Sequence, residues 1–358
     1  MRIALTHPYS WPDVRRGAER MIVEMARALA ALGHDVTVFT AGSEPVRNER
    51  DGYRLMRFRQ RLAAGPAHQR WFGWRVFPEL LRGHFDVVHS LSPHDAVAAI
   101  HAARLRGHRT VYEDLGNPYR EKVLGGHERR ARLRVIDAVD VYACMSEFSR
   151  RMLERDFGRP GTVIPGGVRG ADFTPRPRAE TPTVLFSGAV DRPEKHVAML
   201  IEAVGLLAGR RPTLHLQLSG PGDASSLVDA APLAARDRIE VLPLGDPEGQ
   251  GERYGRAWVT CLPTQWDSFG LVIVESWAAG TPVVVGDRGA PSELVTPETG
   301  RRADPFTAAC LAERLDEALD LATAPGTAGA CRRRAEQFDW QGAIAPLLVD
   351  LYSSSDRH

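Results

Sequence analysis

The chain has 358 residues, 43% of them hydrophobic, and 46 basic side chains stand against 45 acidic ones for a net charge of +1. That composition supports two well-filled domains and excludes a disordered or strongly polyionic chain. No apolar run approaches the roughly 18 residues of a membrane span, and Met1-Arg2-Ile3-Ala4-Leu5 reads as a strand rather than a signal peptide, so the expected compartment is the cytoplasm.

Taken in order, the N-terminal half alternates short apolar runs with helical patterns, as a doubly wound parallel sheet does. Ile3 to Thr6, Asp35 to Thr40, Asp86 to Ser90, Arg109 to Tyr112 and Val139 to Met145 read as strands. Between the first two, Met21, Met25, Ala28 and Leu32 recur at helical spacing from Glu19 to Leu32, and Gly33 supplies the stop. The loop from His7 to Arg16 is long and carries Tyr9, Trp11, Pro12 and two arginines. A dinucleotide site needs a tight Gly-x-Gly-x-x-Gly turn there, so NAD is disfavoured. Gly17, read by itself, is a helix N-cap. Thr174 to Pro182 has three prolines and few apolar residues, the composition of an exposed linker.

Charge is divided unevenly. Through residue 170 there are 28 Lys plus Arg against 19 Asp plus Glu, and beyond it 18 against 26. The basic half suits an anionic acceptor, an anionic lipid surface with peripheral membrane contact, or docking on the acidic half; arginines on solvated faces explain it equally well. No recognisable nucleic-acid motif interleaves these arginines, so no nucleic-acid partner is expected. Cys144, Cys261, Cys310 and Cys331 lie far apart with no Cys-x-x-Cys, which indicates neither a zinc site nor a disulfide framework.

The second half restarts with a strand, Thr183 to Gly188, followed by Ala189 to Glu194, Lys195 and a helix through Leu207. Strand, glycine, cation and helix is a phosphate-site layout, and Lys195 is one of only two lysines in the chain; a solvated cation is the plain alternative. Leu214 to Leu218, Ile239 to Leu242, Val259 to Leu262 and Val283 to Val285 supply further strands. After Leu262, Pro263 ends the strand, Ser268 is placed to cap, and an apolar run continues to Ala279 before Gly280 and Pro282 stop it. The unpaired amides of Ser268, Phe269, Gly270 and Leu271 suit a diphosphate. Asp267 and Glu275 stand eight residues apart, about 12 Å along a helix, whereas carboxylates flanking one glycosidic bond sit roughly 5 to 9.5 Å apart. The two acids therefore fit different ends of a long ligand such as a sugar nucleotide. The plain alternative is a capped helix with one acid in the loop and the other facing solvent.

The string Pro263 to Pro282 resembles the donor-site signature of glycosyltransferase family four, retaining enzymes with two Rossmann-like α/β domains facing across a cleft in the GT-B arrangement. Asp267 matches the first acid of the family's E-x7-E pattern, with Asp for the usual Glu, and Glu275 matches the second; Phe269 and Gly270 match the Gly-Phe-Gly surroundings. The resemblance implies that Asp267 engages donor-sugar hydroxyls and Glu275 the nucleotide ribose. Gly17-Ala18-Glu19 resembles the Gly-Gly-x-Glu element that admits the donor phosphates, and Val141 to Arg150 is similar to the strand-to-helix element that would turn Ser146 to the cleft. Ile164 to Val168 with Asp172-Phe173 resembles Pro-Asn-Gly-Val-Asp, with Gly166 in place of asparagine. The segment from Gly188 resembles Gly-Arg-Leu-x-x-x-Lys-Gly, in which an arginine and a lysine neutralise the diphosphate without a tightly bound metal. Lys195 matches that lysine, Ala189 stands where the arginine belongs, and Arg192 lies three residues on. A histidine often found near the donor sugar is missing from Val111 to Asp114, and His94 is the substitute considered. The family's nucleobase contacts fall near Val241 to Gly245, Gly289 to Val295 resembles its loop after the signature helix, and Phe338-Asp339-Trp340 opens a terminal helix.

The resemblance thus implies an N-terminal acceptor domain over 1–173, a linker over 174–182, a donor domain over 183–340 and a returning helix over 341–358. The implied activity is transfer of a hexosyl or N-acetylhexosaminyl group from a nucleotide sugar, UDP by default, to a small-molecule or lipid-linked hydroxyl. Lys195, Asp267 and Glu275 carry the site, and no cofactor is needed beyond the co-substrate. Two other readings stay open: a sugar-nucleotide epimerase or pseudo-glycosidic coupling enzyme, and a non-catalytic nucleotide-sugar-binding protein.

Overall fold

The computed structural model describes residues 1–14, 17–243 and 247–354, without the side chains of Pro247 and Glu248. The chain forms two compact units, Met1–Gly167 with Trp340–His358, and Val168–Asp339.

Unit 1 is built on eight strands: β1 (Arg2–Thr6), β2 (Asp35–Gly42), β3 (Val46–Arg50), β4 (Tyr53–Arg59), β5 (Val87–Ser90), β6 (Arg109–Asp114), β7 (Val141–Cys144) and β8 (Thr162–Val163). Their order is β3-β4-β2-β1-β5-β6-β7-β8, and every pairing is parallel except β3 with β4. Ile3 of β1 pairs with Val36 on one side and Val87 on the other. The strand order therefore reverses at β1, the place where open α/β sheets take ligands. Ile3, Ala4 and Leu5 are buried because helices cover both faces of such a sheet. Helix α1 (Gly17–Ala31) buries Met21, Met25 and Ala28 as the spacing predicts, but it stops one residue short of Leu32, which is 40% exposed. Helices α2 (Pro66–Arg82) and α3 (Pro93–Arg106) follow, and Phe39, Phe58, Phe72 and Val76 form one of the unit's cores.

Unit 2 carries β9 (Thr183–Ser187), β10 (His215–Ser219), β11 (Ile239–Val241), β12 (Val259–Leu262), β13 (Val283–Gly286) and β14 (Gly300–Ala303), in the order β11-β10-β9-β12-β13-β14. All its pairings are parallel. The segment 168–182, expected to divide between the end of one domain and a linker, packs with unit 2. Val168 bridges Asp339, Phe173 is buried against Tyr254, and the Arg178 guanidinium donates to the carbonyls of Ala257 and Trp258 at 3.1 and 2.8 Å. Thr174 to Pro177 are exposed, as the composition suggests, and Arg178 bonded to main chain ties the proline-rich stretch to unit 2. The helix Ala345–Ser353 packs in unit 1, with the Tyr352 hydroxyl 2.6 Å from His89 Nδ1 and His89 Nε2 3.1 Å from Glu113 Oε2, all three side chains buried.

Candidate active site

Unit 2 gathers its chemistry at the carboxyl ends of β9, β10 and β12. β9 runs out at Ser187 into Gly188, which has φ 153° and donates its amide to the Ser219 carbonyl at 2.9 Å. The loops after β9 and β10 touch backbone to backbone: a Cβ on Gly220 would lie 1.9 Å from the Gly188 oxygen. That contact leaves room only for glycine and fixes the turn from which Ala189 to Lys195 departs. Lys195 closes a short 3-10 turn, Pro193–Lys195, ahead of the helix Val197–Leu207.

The Lys195 ammonium lies 2.6 Å from Asp267 Oδ2, bringing together residues 72 apart in sequence, each about a quarter to a fifth exposed. Asp267 sits in the loop between β12 and the helix Leu271–Ala278. The expected cap is corrected here. Gly270, not Ser268, is the N-cap, in the left-handed region at φ 92°, and a Cβ there would lie 2.9 Å from Ile273 Cδ1. An L side chain is disfavoured in that conformation, so the helix starts where the glycine is rather than where a hydroxyl could cap. Phe269 is 1% exposed and packs on Phe338 with ring centroids 5.6 Å apart, so its ring belongs to the core. Ser268 and Leu271 are half-buried at the helix entrance.

Glu275 does not face solvent. It is 8% exposed, and its Oε2 accepts the Tyr254 hydroxyl at 2.8 Å. Tyr254 is fully buried, and burial, reinforced by the Glu275 charge, pushes its phenol well above the ordinary range, so it remains a donor. Gln250 Nε2 lies 3.4 Å from that hydroxyl and donates to Ser187 Oγ at 3.0 Å. A polar chain thus runs from the end of β9 to the middle of the signature helix. Arg253, one turn from Gln250, donates to Ser219 Oγ at 2.7 Å and to the Pro243 carbonyl at 2.9 Å. The sequence reading missed Gln250, Arg253 and Tyr254; their i, i+3, i+4 spacing on the helix Pro247–Arg256 was the available signal.

Other expected positions fall as follows. Arg192 is 66% exposed and 4.0 Å from Glu194. Gly17 opens α1 and is exposed, while Glu19 two residues on is fully buried and 3.3 Å from His7 Nε2. His94 is half-buried in the first turn of α3, and desolvation lowers its imidazole pKa. Ser146 is buried and caps the helix Glu147–Phe157 by accepting the Ser149 amide at 3.2 Å. Tyr9 is 6% exposed and its hydroxyl accepts the Gly65 amide at 3.0 Å. Of the segment Val241 to Gly245, residues 244 and 245 lie outside the described residues, as do Arg15 and Arg16 of the first loop. Among the described residues no group of three or more His, Cys, Asp or Glu is placed to hold a metal, and no helix is long and apolar enough to cross a membrane.

Two Rossmann-like units in one chain, the second with a cation, two spaced acids and a glycine-capped helix at its strand ends, define the GT-B class of glycosyltransferases. Residues 15–169 match the family described as Glycosyltransferase Family 4, and residues 169–337 match Glycosyl transferases group 1. A phosphatidyl-myo-inositol mannosyltransferase of Mycobacterium tuberculosis (strain H37Rv) is 30% identical over 322 residues, spanning 80% of this chain and 78% of that one. Among solved structures, sucrose-phosphate synthase of Thermosynechococcus elongatus superposes with a TM-score of 0.82 at 22% identity, covering 98% of each chain. Anabaena HepE in complex with UDP-glucose does so at 0.76 and 18%, covering 99% of each. The chain belongs to glycosyltransferase family four, and it is a glycosyltransferase of the GT-B type.

Proposed function

We propose that this chain transfers a hexosyl group, with retention, from a nucleoside diphosphate sugar to a hydroxyl of a cyclitol-bearing acceptor, free or lipid-linked. The observation that carries the reading is the Lys195–Asp267 contact at 2.6 Å beside the entrance of the signature helix, with Glu275 held by Tyr254 farther along it. The inositol acceptor in the name of the mycobacterial relative supports the acceptor class, and the UDP-glucose bound by HepE supports UDP as the first donor to try.

In the reaction the acceptor oxygen bonds to the anomeric carbon on the face that the diphosphate leaves. The bond from that carbon to the phosphate oxygen breaks, and the acceptor proton passes to a departing phosphate oxygen. Lys195 offsets the charge that develops on the diphosphate, and the amides at the start of Leu271–Ala278 add the helix dipole. Asp267 takes the sugar hydroxyls and Glu275 the ribose. A double displacement needs a free carboxylate under the anomeric carbon; Asp267 is paired with Lys195 and Glu275 with Tyr254, which favours the front-face route.

The test is thermal shift against UDP, GDP and dTDP and their sugars, followed by NMR of the product formed with myo-inositol or phosphatidylinositol. Retained anomeric configuration and dependence on Lys195 are expected. Conversion of the donor to a second sugar nucleotide without acceptor would replace this reading with an epimerase, and an inverted product would end it.

A further inference from the structure

We propose that unit 1 holds a dedicated phosphate site, a pocket that grips the phosphate of the acceptor; this rests on the reading of unit 1 as the acceptor-binding half. Near the β3–β4 hairpin and α2 lies a pocket of about 450 Å³ lined by Arg47, Arg57, Arg59, Arg61 and Arg75, with Phe58 and Trp71 as apolar surface and no carboxylate in the lining.

Two of the five cations are fixed. The Arg75 guanidinium sits 4.1 Å over the Phe58 ring and 3.2 Å from Glu79. Arg57 donates to the Glu44 carbonyl at 2.7 Å and lies 3.9 Å from Asp13. Arg59 reaches Glu44 only at 4.0 Å, and Arg47, Arg59 and Arg61 are exposed. Three acids, Asp13, Glu44 and Glu79, stand near the five guanidinium groups, and Glu79 is shared with Arg82 at 3.3 Å. Positive charge is therefore in excess at the pocket, which suits the oxygens of a phosphate monoester or diester alike. Guanidinium groups crowded into one pocket repel one another, and their fork of donors suits phosphate oxygens. The apolar surface accommodates the carbon skeleton next to that phosphate.

β4 pairs in parallel with β2, Arg57 opposite Thr40 and Arg59 opposite Gly42, so these arginines stand at the carboxyl-end side of the sheet, on its hairpin edge rather than at the reversal of strand order at β1. Asp13, the partner of Arg57, belongs to the loop after β1, and its Oδ2 accepts the Ser43 amide at 2.6 Å. The pocket is therefore tied to the long loop that follows β1.

Two sources carry this chemistry, a soluble phosphorylated cyclitol and an anionic lipid head group. Binding of inorganic phosphate, myo-inositol 1-phosphate and myo-inositol to the full chain is measured by calorimetry, and sedimentation is measured with phosphatidylcholine vesicles with and without phosphatidylinositol. No donor is present, so failure of the transferase reading does not enter. Binding of the phosphate ester but not of myo-inositol assigns the site to a soluble acceptor; sedimentation only with phosphatidylinositol vesicles assigns it to a head group. In either case Arg59→Ala with Arg61→Ala weakens binding by roughly tenfold or more, and lysine at both positions restores part of it. Absence of any preference for the phosphate-bearing probes overturns the proposal. So does unchanged affinity in the double alanine variant when its circular dichroism and melting temperature match the parent.

Discussion

Tyr254→Phe removes one oxygen from the buried chain that holds Glu275 and leaves the ring in place. The lost bond, 2.8 Å long, is made to a carboxylate that is 8% exposed by a phenol that is fully buried. A hydrogen bond to a charged group contributes roughly 1.5–3 kcal/mol, and an uncompensated buried acceptor costs about as much. The expected loss is about 2 kcal/mol, which for a domain of this size lowers Tm by about 4–8 °C. If Glu275 holds the ribose, its looser carboxylate also weakens nucleotide binding by about tenfold. Calorimetric unfolding and nucleotide titration of Tyr254→Phe, Glu275→Gln and the double variant measure both effects, and the two changes should be clearly non-additive. Parent-like Tm and nucleotide affinity in Tyr254→Phe would refute the claim that this hydroxyl positions Glu275.

Three further outcomes are expected. Lys195→Ala lowers kcat by about 10²–10³ with little change in stability, since the charge it leaves behind, Asp267, keeps access to water; steady-state kinetics and melting curves read the two separately. Gly270→Ala places a Cβ 2.9 Å from Ile273 Cδ1 in a left-handed conformation and destabilises unit 2 by about 1–3 kcal/mol, measured by urea unfolding. Asp95 is fully buried, lies 2.6 Å from Thr6 Oγ1, and is pushed up to about 7 by burial. Its neutral form therefore favours the folded state at pH below its ordinary value, and this contribution is lost as pH rises through about 7. Asp95→Asn, which mimics the neutral acid, should gain stability relative to the parent between about pH 5 and about pH 8, and urea unfolding at both pH values checks the sign.

The central parallel strands were legible because they are buried on both faces and read as continuous apolar runs, as at Val259–Leu262, whereas β8 (Thr162–Val163) and β14 (Gly300–Ala303), short and partly exposed, were not read. The β3–β4 hairpin was not read, although Asp51-Gly52 with φ 50° and 82° is a turn the sequence announces. Its strands are rich in arginine and partly exposed, so hydropathy hid them. At the site, the spacing of Asp267 and Glu275 and the rarity of lysine pointed to the residues on which the proposed chemistry rests. What holds them was out of reach: Tyr254 and Gln250 act through contacts that only the folded sheet creates, and Ser268 lost the cap to Gly270 because backbone conformation outranks side-chain chemistry there.

Unit 1 is discontinuous, completed by the segment from Trp340 onward. On the ribosome, the whole of unit 2 emerges before the helix bearing Tyr352 exists, so until then His89 and Glu113 wait with one polar partner missing. Unit 1 is therefore complete only once the segment from Trp340 has been made. Anyone expressing the halves separately must graft residues 340–353 onto the first.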